Sequence, residues 1–278
     1  MKGLPPVNTQ AQARAIMAAG LGQAELEFVL SLTAPLYWII HEAEGYRVRN
    51  GSAFFLNTDE GVFAVTANHV IEGWKRDCVS SDVVAFQLGH DLQIDFDGQH
   101  GFIAAHEGID IATFRISERE IASIGKTPLT GYHRSWPPLP PKLDRGIYFG
   151  GFPGVETIKL SRNEISFGAT AGGGVASSIS EKDVSSLIER INLIPVLGRG
   201  LPPENFDFGG ISGGPMLTVV EQNGLRSWSL AGVIHEGPNP APDAAQAING
   251  LEVIKARRAH FILPDGTLDV ARWEELVR

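Results

Sequence analysis

Disulfides are the first thing this chain lacks: it holds a single cysteine, Cys78, in 278 residues. With no intrachain bridge, stability must come from packing and hydrogen bonds, as suits a reducing compartment. A lone thiol is commonly a small buried apolar group, and Cys78 is expected to be that and not a nucleophile. Long apolar runs are missing too. The stretch 28–40 contains Pro35 and is too short to cross a bilayer, and the apolar residues 15–21 run into Glu25 and Glu27 without the form of a secretory leader. The expected location is cytoplasmic, with no membrane partner. Positive charge is scarce as well: 23 lysines and arginines against 32 acids leave a formal charge of −9, and no basic stripe is visible. That argues against nucleic acid as a partner, because broad phosphate binding needs clustered Lys and Arg.

What is abundant is punctuation. The 32 glycines and 17 prolines lie between short apolar runs, which favours an all-β architecture rich in turns. Helical spacing is confined largely to the ends. Thr9 can cap a helix over 10–19 closed by Gly20, a second helix runs over 23–32 with Leu26, Val29 and Leu30 on one face, and 269–277 repeats the pattern with Val270, Trp273, Leu276 and Val277. Between them lie strands at 36–42, 51–56, 62–66, 83–88, 93–96 and 111–116, with a short helical turn over 69–73. Residues 135–141 are proline-rich and form a stiff crossover. Strands resume at 146–151, 155–160, 164–171, 215–221, 228–235 and 250–262, with a short helix expected from Ser180 or Asp183 to Glu189.

The chemistry concentrates in Gly209-Gly210-Ile211-Ser212-Gly213-Gly214-Pro215, one serine among glycines. If Ser212 is a nucleophile, the N–H groups of Gly210 and Ser212 form a candidate oxyanion hole; the plain alternative is a glycine-rich hairpin loop. A serine hydroxyl needs a base, and the base needs an orienting group. His69 ends the apolar run Val65-Thr66-Ala67-Asn68-His69, and Asp110 opens Asp110-Ile111-Ala112-Thr113-Phe114. Alone, His69 reads as a satisfied histidine at a strand end and Asp110 as a turn carboxylate. Together with Ser212 they fill the three roles.

These segments resemble, in order, the Thr-Ala-x-His, Asp-Ile-Ala and Gly-x-Ser-Gly-Gly-Pro signatures of the trypsin/chymotrypsin-like (PA clan) serine peptidases, in their bacterial form. Gly150-Gly151-Phe152-Pro153-Gly154 and Ala231-Gly232-Val233-Ile234-His235-Glu236-Gly237 are similar to that family's glycine-proline turn and substrate-pairing strand. The resemblance implies two antiparallel β-barrels: a helical N-terminal extension (1–33), a first barrel (34–134) carrying His69 and Asp110, a proline-rich crossover (135–145), and a second barrel with a C-terminal helix (146–278) carrying Ser212. It implies a serine endopeptidase that works through an acyl-enzyme on a protein or peptide substrate and needs no cofactor or metal.

Several positions depart from the family pattern. Ile211 stands where zymogen-activated members have an acid, so activation by a freed N-terminus is not expected. By count, Phe206 falls at the base of the primary pocket, with Asp207 one place off. His235 replaces a small polar residue, and three readings stay open: it hydrogen-bonds Asp110, it partly fills the pocket, or it is a tolerated polar substitution; Glu236 and Gly237 continue the substrate-binding strand. These departures sustain an alternative, a weak or inactive peptidase-like scaffold that binds peptides or regulates a partner. The N-terminal extension is read as packing on the barrel, with docking of a protein partner as the lesser reading. Gly210-Ile211-Ser212-Gly213-Gly214 also fits the nucleophile elbow of α/β hydrolases, but the strand-like residues after Pro215 speak against the helix that elbow needs. The region holding His90, Asp91, Asp95, Asp97 and His100 matches no metal-ligand frame and reads as a solvated acidic hairpin, and His106 as a surface residue.

Overall fold

Short β-branched and aromatic runs pair with their neighbours in sequence, and that local pairing builds both halves of the molecule. A computed structural model describes residues 20, 22–130, 136–161, 164–189, 193–195, 207–222, 225–237 and 251–278. Helix α1 (Gly22–Leu32) leads into strands β1 (Thr33–Glu42), β2 (Gly45–Thr58) and β3 (Gly61–Thr66) and helix α2 (Asn68–Ser80). There follow β4 (Asp82–Leu88), β5 (Leu92–Gln93), β6 (Phe102–His106), β7 (Ile111–Arg115), the short helix α3 (Glu118–Ser123) and β8 (Leu129–Thr130). The second half runs through β9 (Gly146–Gly151), β10 (Thr157–Ser161), β11 (Glu164–Phe167), β12 (Thr170–Ile179), β13 (Asp183–Glu189) and β14 (Leu193–Pro195). It ends with β15 (Pro215–Gln222), β16 (Leu225–Glu236), β17 (Leu251–Arg258) and helix α4 (Val270–Val277).

The first sheet has the order β5-β4-β1-β2-β3-β7-β6, with β8 alongside β2. Side chains join its two ends. Phe96 stacks on Phe102 of β6 at 4.2 Å and tilts against Phe86 of β4 at 5.1 Å, while Trp74 of α2 lies 4.8 Å from Phe86. The second sheet closes by backbone pairing into a six-stranded barrel, β12-β13-β17-β16-β15-β9 and back to β12. The body of the protein is therefore all-β, in two antiparallel barrels.

One apolar core crosses from half to half. Leu26 and Val29 of α1, Phe54 and Val65 of the first barrel, and Leu217, Leu230 and Val233 of the second are buried in a single cluster. Gly150 of β9 makes room for α1, since a Cβ there would come within 2.8 Å of Val29. Helix α1 is thus a packing element; residues 10–19 of the expected extension lie outside the described residues. In the crossover, the Trp136 indole N–H donates to the Ile262 carbonyl and tethers that segment to the far end of the chain.

Several expectations from sequence need correction. Residues 183–189 form a strand, β13, not a helix: it pairs on both sides, Leu187 opposite Val175 of β12 and Val253 of β17. Val184 and Ser186 alternate into the barrel interior, a two-residue period that the serines obscured. Cys78 is exposed, not buried, because Asp77 and not Cys78 turns inward from α2 to accept the Trp38 indole N–H at 2.7 Å. The turn expected over 69–73 is a helix of 13 residues, Asn68–Ser80, extended by Trp74 packing on the aromatic cluster. The strand expected over 93–96 is only Leu92–Gln93, and β6, with its weak Phe-Ile-Ala-Ala-His pattern, was not foreseen. Residues 154–156 form a 3-10 turn ahead of β10.

His260, in the 3-10 turn after β17, gives a testable consequence. Burial pushes its imidazole down from the usual 6.5 to about 4, with the Arg258 and Arg272 charges adding to the effect. Its Nε2 is buried with no hydrogen-bond partner among the described residues. The folded pKa is the lower one, so the unfolded chain binds the proton first as pH falls. Above 6.5 the ring is neutral in both states and carries no proton-linked cost, and stability drops as pH falls from 6.5 towards 4. For a half-buried ring, solvent screening leaves on the order of 1–2 kcal/mol. Denaturant unfolding at pH 7 and at pH 4.5 measures the drop, and a His260→Leu variant is expected to show a smaller one.

Candidate active site

Three segments meet where the two barrels face each other. The first is the β3–α2 junction. Thr66 ends β3 with its hydroxyl donating to the Ser52 carbonyl at 2.7 Å, and His69 follows in the first turn of α2. The second is the turn between β6 and β7, which sets Asp110 in the left-handed region at φ 57°, a conformation Asp tolerates better than most residues. The Asp110 N–H donates to the His106 and Glu107 carbonyls at 2.9 and 3.1 Å, and the Ile109 N–H donates to His106 Nδ1 at 3.0 Å. His106 is therefore a structural part of this turn, not a free surface residue.

Asp110 holds His69 at two points. Its Oδ1 accepts from the His69 main-chain N–H at 2.8 Å, and its Oδ2 lies 2.8 Å from His69 Nδ1. This contact fixes the tautomer that leaves Nε2 as the acceptor. The Asp110 side chain is 18% exposed and that of His69 47%, so the carboxylate is sheltered while the ring faces outward.

The third segment is the glycine turn with Ser212. Gly210 and Gly213 both have positive φ, 102° and 88°. The turn is tied down on both sides. Ser52 of β2 donates its N–H to the Ser212 carbonyl and its hydroxyl to the Gly210 carbonyl, each at 2.8 Å, and the Gly213 N–H donates to Ile234 of β16 at 2.8 Å. Gly213 presses against Thr66 and Ala67, three residues or fewer from His69. Among the described residues, the Gly210 and Ser212 N–H groups donate to no acceptor, which leaves two backbone donors open at the serine. No hydrogen bond joins Ser212 Oγ to His69 among the described residues. Strand β15 follows the turn directly, so the strand-turn-helix of an α/β-hydrolase elbow is absent here.

Ile211 is buried in the second barrel's core with Phe149, Phe208, Met216 and Ile234. It anchors the serine turn by packing, where a charged residue would need a partner.

Comparison with known proteins gives matches at the level of solved structures only. Serine proteases are among them. The serine protease domain of the Sesbania mosaic virus polyprotein is 14% identical, with 84% of this chain and 92% of that chain covered at a TM-score of 0.40. A thermostable serine protease from an extremophilic microorganism is 12% identical, with 82% and 91% covered at a TM-score of 0.41. A structure concerned with the coupled folding and binding of the intrinsically disordered Sesbania mosaic virus VPg is 14% identical, with 84% and 87% covered at 0.41. No protein-family model and no curated protein matches the chain.

The expected pocket residues are distributed as follows. Phe206 lies outside the described residues. Asp207 is exposed, and its Oδ1 caps the serine turn by accepting from the Gly209 N–H at 2.7 Å. His235 does not reach Asp110; its Nε2 lies 3.1 Å from Asp183 of β13, at a register shift in β16 that turns the ring towards that strand. Glu236 pairs with Lys255 at 2.9 Å, and Gly237 packs on Phe208 and Ile211. Burial opposes ionisation of Asp183, but the His235 hydrogen bond and the Arg257 charge outweigh it and hold the carboxyl below its usual range.

Sequence reasoning missed two groups. Ser52, inside a buried strand, clamps the serine turn; its only sequence signal was its polarity in an apolar run. Arg257 of β17 donates its Nε–H to the Ile109 carbonyl at 2.7 Å, and nothing in Lys255-Ala256-Arg257-Arg258 marks it. The acidic loop is locally satisfied: Asp95 accepts from the Asp97 and Gly98 N–H groups, and buried His100 bridges Asp95 and Glu120. Among the described residues no group of three or more potential ligands is placed to hold a metal ion.

Proposed function

We propose that the chain is a serine endopeptidase of the trypsin/chymotrypsin-like type, working on protein or peptide substrates in the cytoplasm. The observation that carries this reading is the two-point grip of Asp110 on His69, beside a serine whose neighbouring amides are open. Ser212 Oγ attacks the scissile carbonyl carbon while His69 Nε2 takes its proton. Asp110 keeps the imidazolium oriented and balances its charge. The carbonyl oxygen, now negative, accepts from the Gly210 and Ser212 N–H groups. His69 then gives its proton to the leaving amine, and the C–N bond breaks to leave an ester on Ser212. Water, deprotonated by His69, attacks that ester, and the second tetrahedral intermediate collapses to free acid and Ser212. His235, Glu236 and Gly237, at the end of β16, are the proposed backbone-pairing segment for substrate, and Phe206 and Asp207 the proposed pocket end.

The test is a peptide-library digest read by mass spectrometry, with Ser212→Ala as control. Cleavage by the wild type and none by the variant is the expected result. A second reading, a peptide-binding scaffold without turnover, is favoured by the lack of a Ser212–His69 hydrogen bond among the described residues. Such bonds often tighten only when substrate arrives. The scaffold reading predicts equal retention of intact peptides by both proteins.

A further inference from the structure

Against the turn that carries Asp110 stands a cation from the other barrel. Arg257 is only 8% exposed. Its Nε–H donates to the carbonyl of Ile109, the residue before Asp110, at 2.7 Å, while Nη1 lies 2.9 Å from Asp183. Its guanidinium carbon sits 4.6 Å from the ring centroid of Trp273 on α4, within cation–π range. Trp273 in turn abuts the Asp110 turn itself: a Cβ on Gly108 would come within 2.7 Å of its indole nitrogen. It is steadied below by an edge-on contact with Phe261 at 5.6 Å. The turn that aims Asp110 is thus held by its own backbone, by an arginine from β17 and by an indole from the C-terminal helix.

We propose that Arg257, set against the Trp273 ring and paired with Asp183, is a positioning residue for the candidate acid: it locks the Ile109–Asp110 peptide from the second barrel and places a positive charge beside the Asp110 carboxylate. The proposal rests on the peptidase reading and adds to it the means by which the acid is aimed. The need arises from geometry. Asp110 sits at φ 57°, and such a backbone persists where its surroundings over-determine it. His235, for which a hydrogen bond to the acid was one of the open readings, is engaged with Asp183. Arg257 takes over the support from the same barrel. Its planar fork suits the task, because it serves a carbonyl and a carboxylate at once with its charge over a ring. A lysine ammonium cannot do all three. Since Arg257 is directed at the acid's turn and not at the serine loop, its loss is expected to disturb the bond-making step and leave substrate binding alone.

The experiment compares wild type with Arg257→Gln, Arg257→Lys and Trp273→Leu. The readouts are kcat, KM, the rate of fluorophosphonate labelling, and the low-field proton NMR signal of the His69 Nδ1–H bonded to Asp110. Arg257→Gln is expected to lower kcat and the labelling rate by roughly 10–100-fold, the scale for a misplaced catalytic group. KM should stay within about 2-fold and the low-field signal should shift or broaden. Arg257→Lys should recover part of the rate, and Trp273→Leu should fall between. A folded Arg257→Gln protein with unchanged kcat and an unmoved signal overturns the proposal. If Arg257→Gln does not fold, the same readouts on Arg257→Lys and Trp273→Leu decide, and unchanged values in both overturn it. Failure of the peptidase reading is distinguishable, since the wild type itself would then neither label nor turn over. The proton signal would still respond to Arg257→Gln if the positioning holds and stay fixed if it does not.

Discussion

Alanine in place of Ser212 is expected to reduce peptide hydrolysis by about 10⁴-fold or more, the scale measured when a nucleophile is removed from a triad. The mechanism gives this change a specific signature. In the proposed mechanism the hydroxyl forms the acyl bond, so kcat should collapse while KM moves little. His69→Ala should cost nearly as much, and the double variant hardly more than either single one, because the two groups act in one step. Stability should stay within about 0.5 kcal/mol of wild type, since the loop is held by its backbone through Ser52 and Ile234. A progress curve for each variant with one cleaved peptide, beside a thermal melt, checks both parts. Additive losses, or a loss confined to KM, contradict the assigned roles.

Gly213→Ala should do the most damage to the fold. Gly213 has φ 88°, where an L side chain is strained by about 1–2 kcal/mol. A Cβ there would also lie 2.1 Å from the Ser52 carbonyl oxygen, 2.3 Å from Thr66 Oγ1 and 2.9 Å from the Ala67 nitrogen. Two of those three atoms are backbone. Neither can retreat without disturbing β2 or the start of α2, so overpacking adds about 1–3 kcal/mol. The expected loss is about 2–5 kcal/mol, a large share of a typical domain's stability of about 5–15 kcal/mol. Activity should vanish with it, because the same contact sets the spacing between Ser212 and His69. Guanidinium unfolding measures the first effect, and a shift below about 1 kcal/mol would contradict the close approach.

The two effects share one origin. Ser212 belongs to the second barrel by sequence but is hydrogen-bonded to the first through Ser52. His69 and Asp110 belong to the first, yet Asp110's turn is braced by Arg257 and Trp273 from the second half. Neither barrel alone holds the site together.

The candidate chemistry was legible from sequence because it sits in short, turn-dense motifs. Gly-Ile-Ser-Gly-Gly-Pro needs missing Cβ atoms at Gly210 and Gly213, and both indeed have positive φ. The all-β body was legible from strands such as 62–66, where β-branched and aromatic residues abut turn residues. Less was legible where tertiary contacts override local pattern. Ser180 and Asp183 each read as a possible helix start for the stretch to Glu189, but strand partners on both sides fix Asp183–Glu189 as β13. Strand β2 extends back to Gly45 through charged Arg47 and Arg49, because its pairing with β1 outruns the buried core. Cys78 was expected inside by residue type, whereas helix phase puts Asp77 there. Arg257 was invisible because its partners, Ile109, Asp183 and Trp273, are remote in sequence. The His235 expectation was set by counting along a strand, and the register shift between Ile234 and Glu236 carries the ring to Asp183 instead.

Labelling with a fluorophosphonate, followed by peptide mapping, probes the centre of this picture in one step, because the reagent reports an activated serine whatever the substrate is. A single adduct on Ser212, strongly reduced in His69→Ala and in Asp110→Asn, is the expected outcome. An intact, folded protein that takes up no label, or takes it on another residue with Ser212 untouched, would contradict a nucleophile driven by His69 and Asp110.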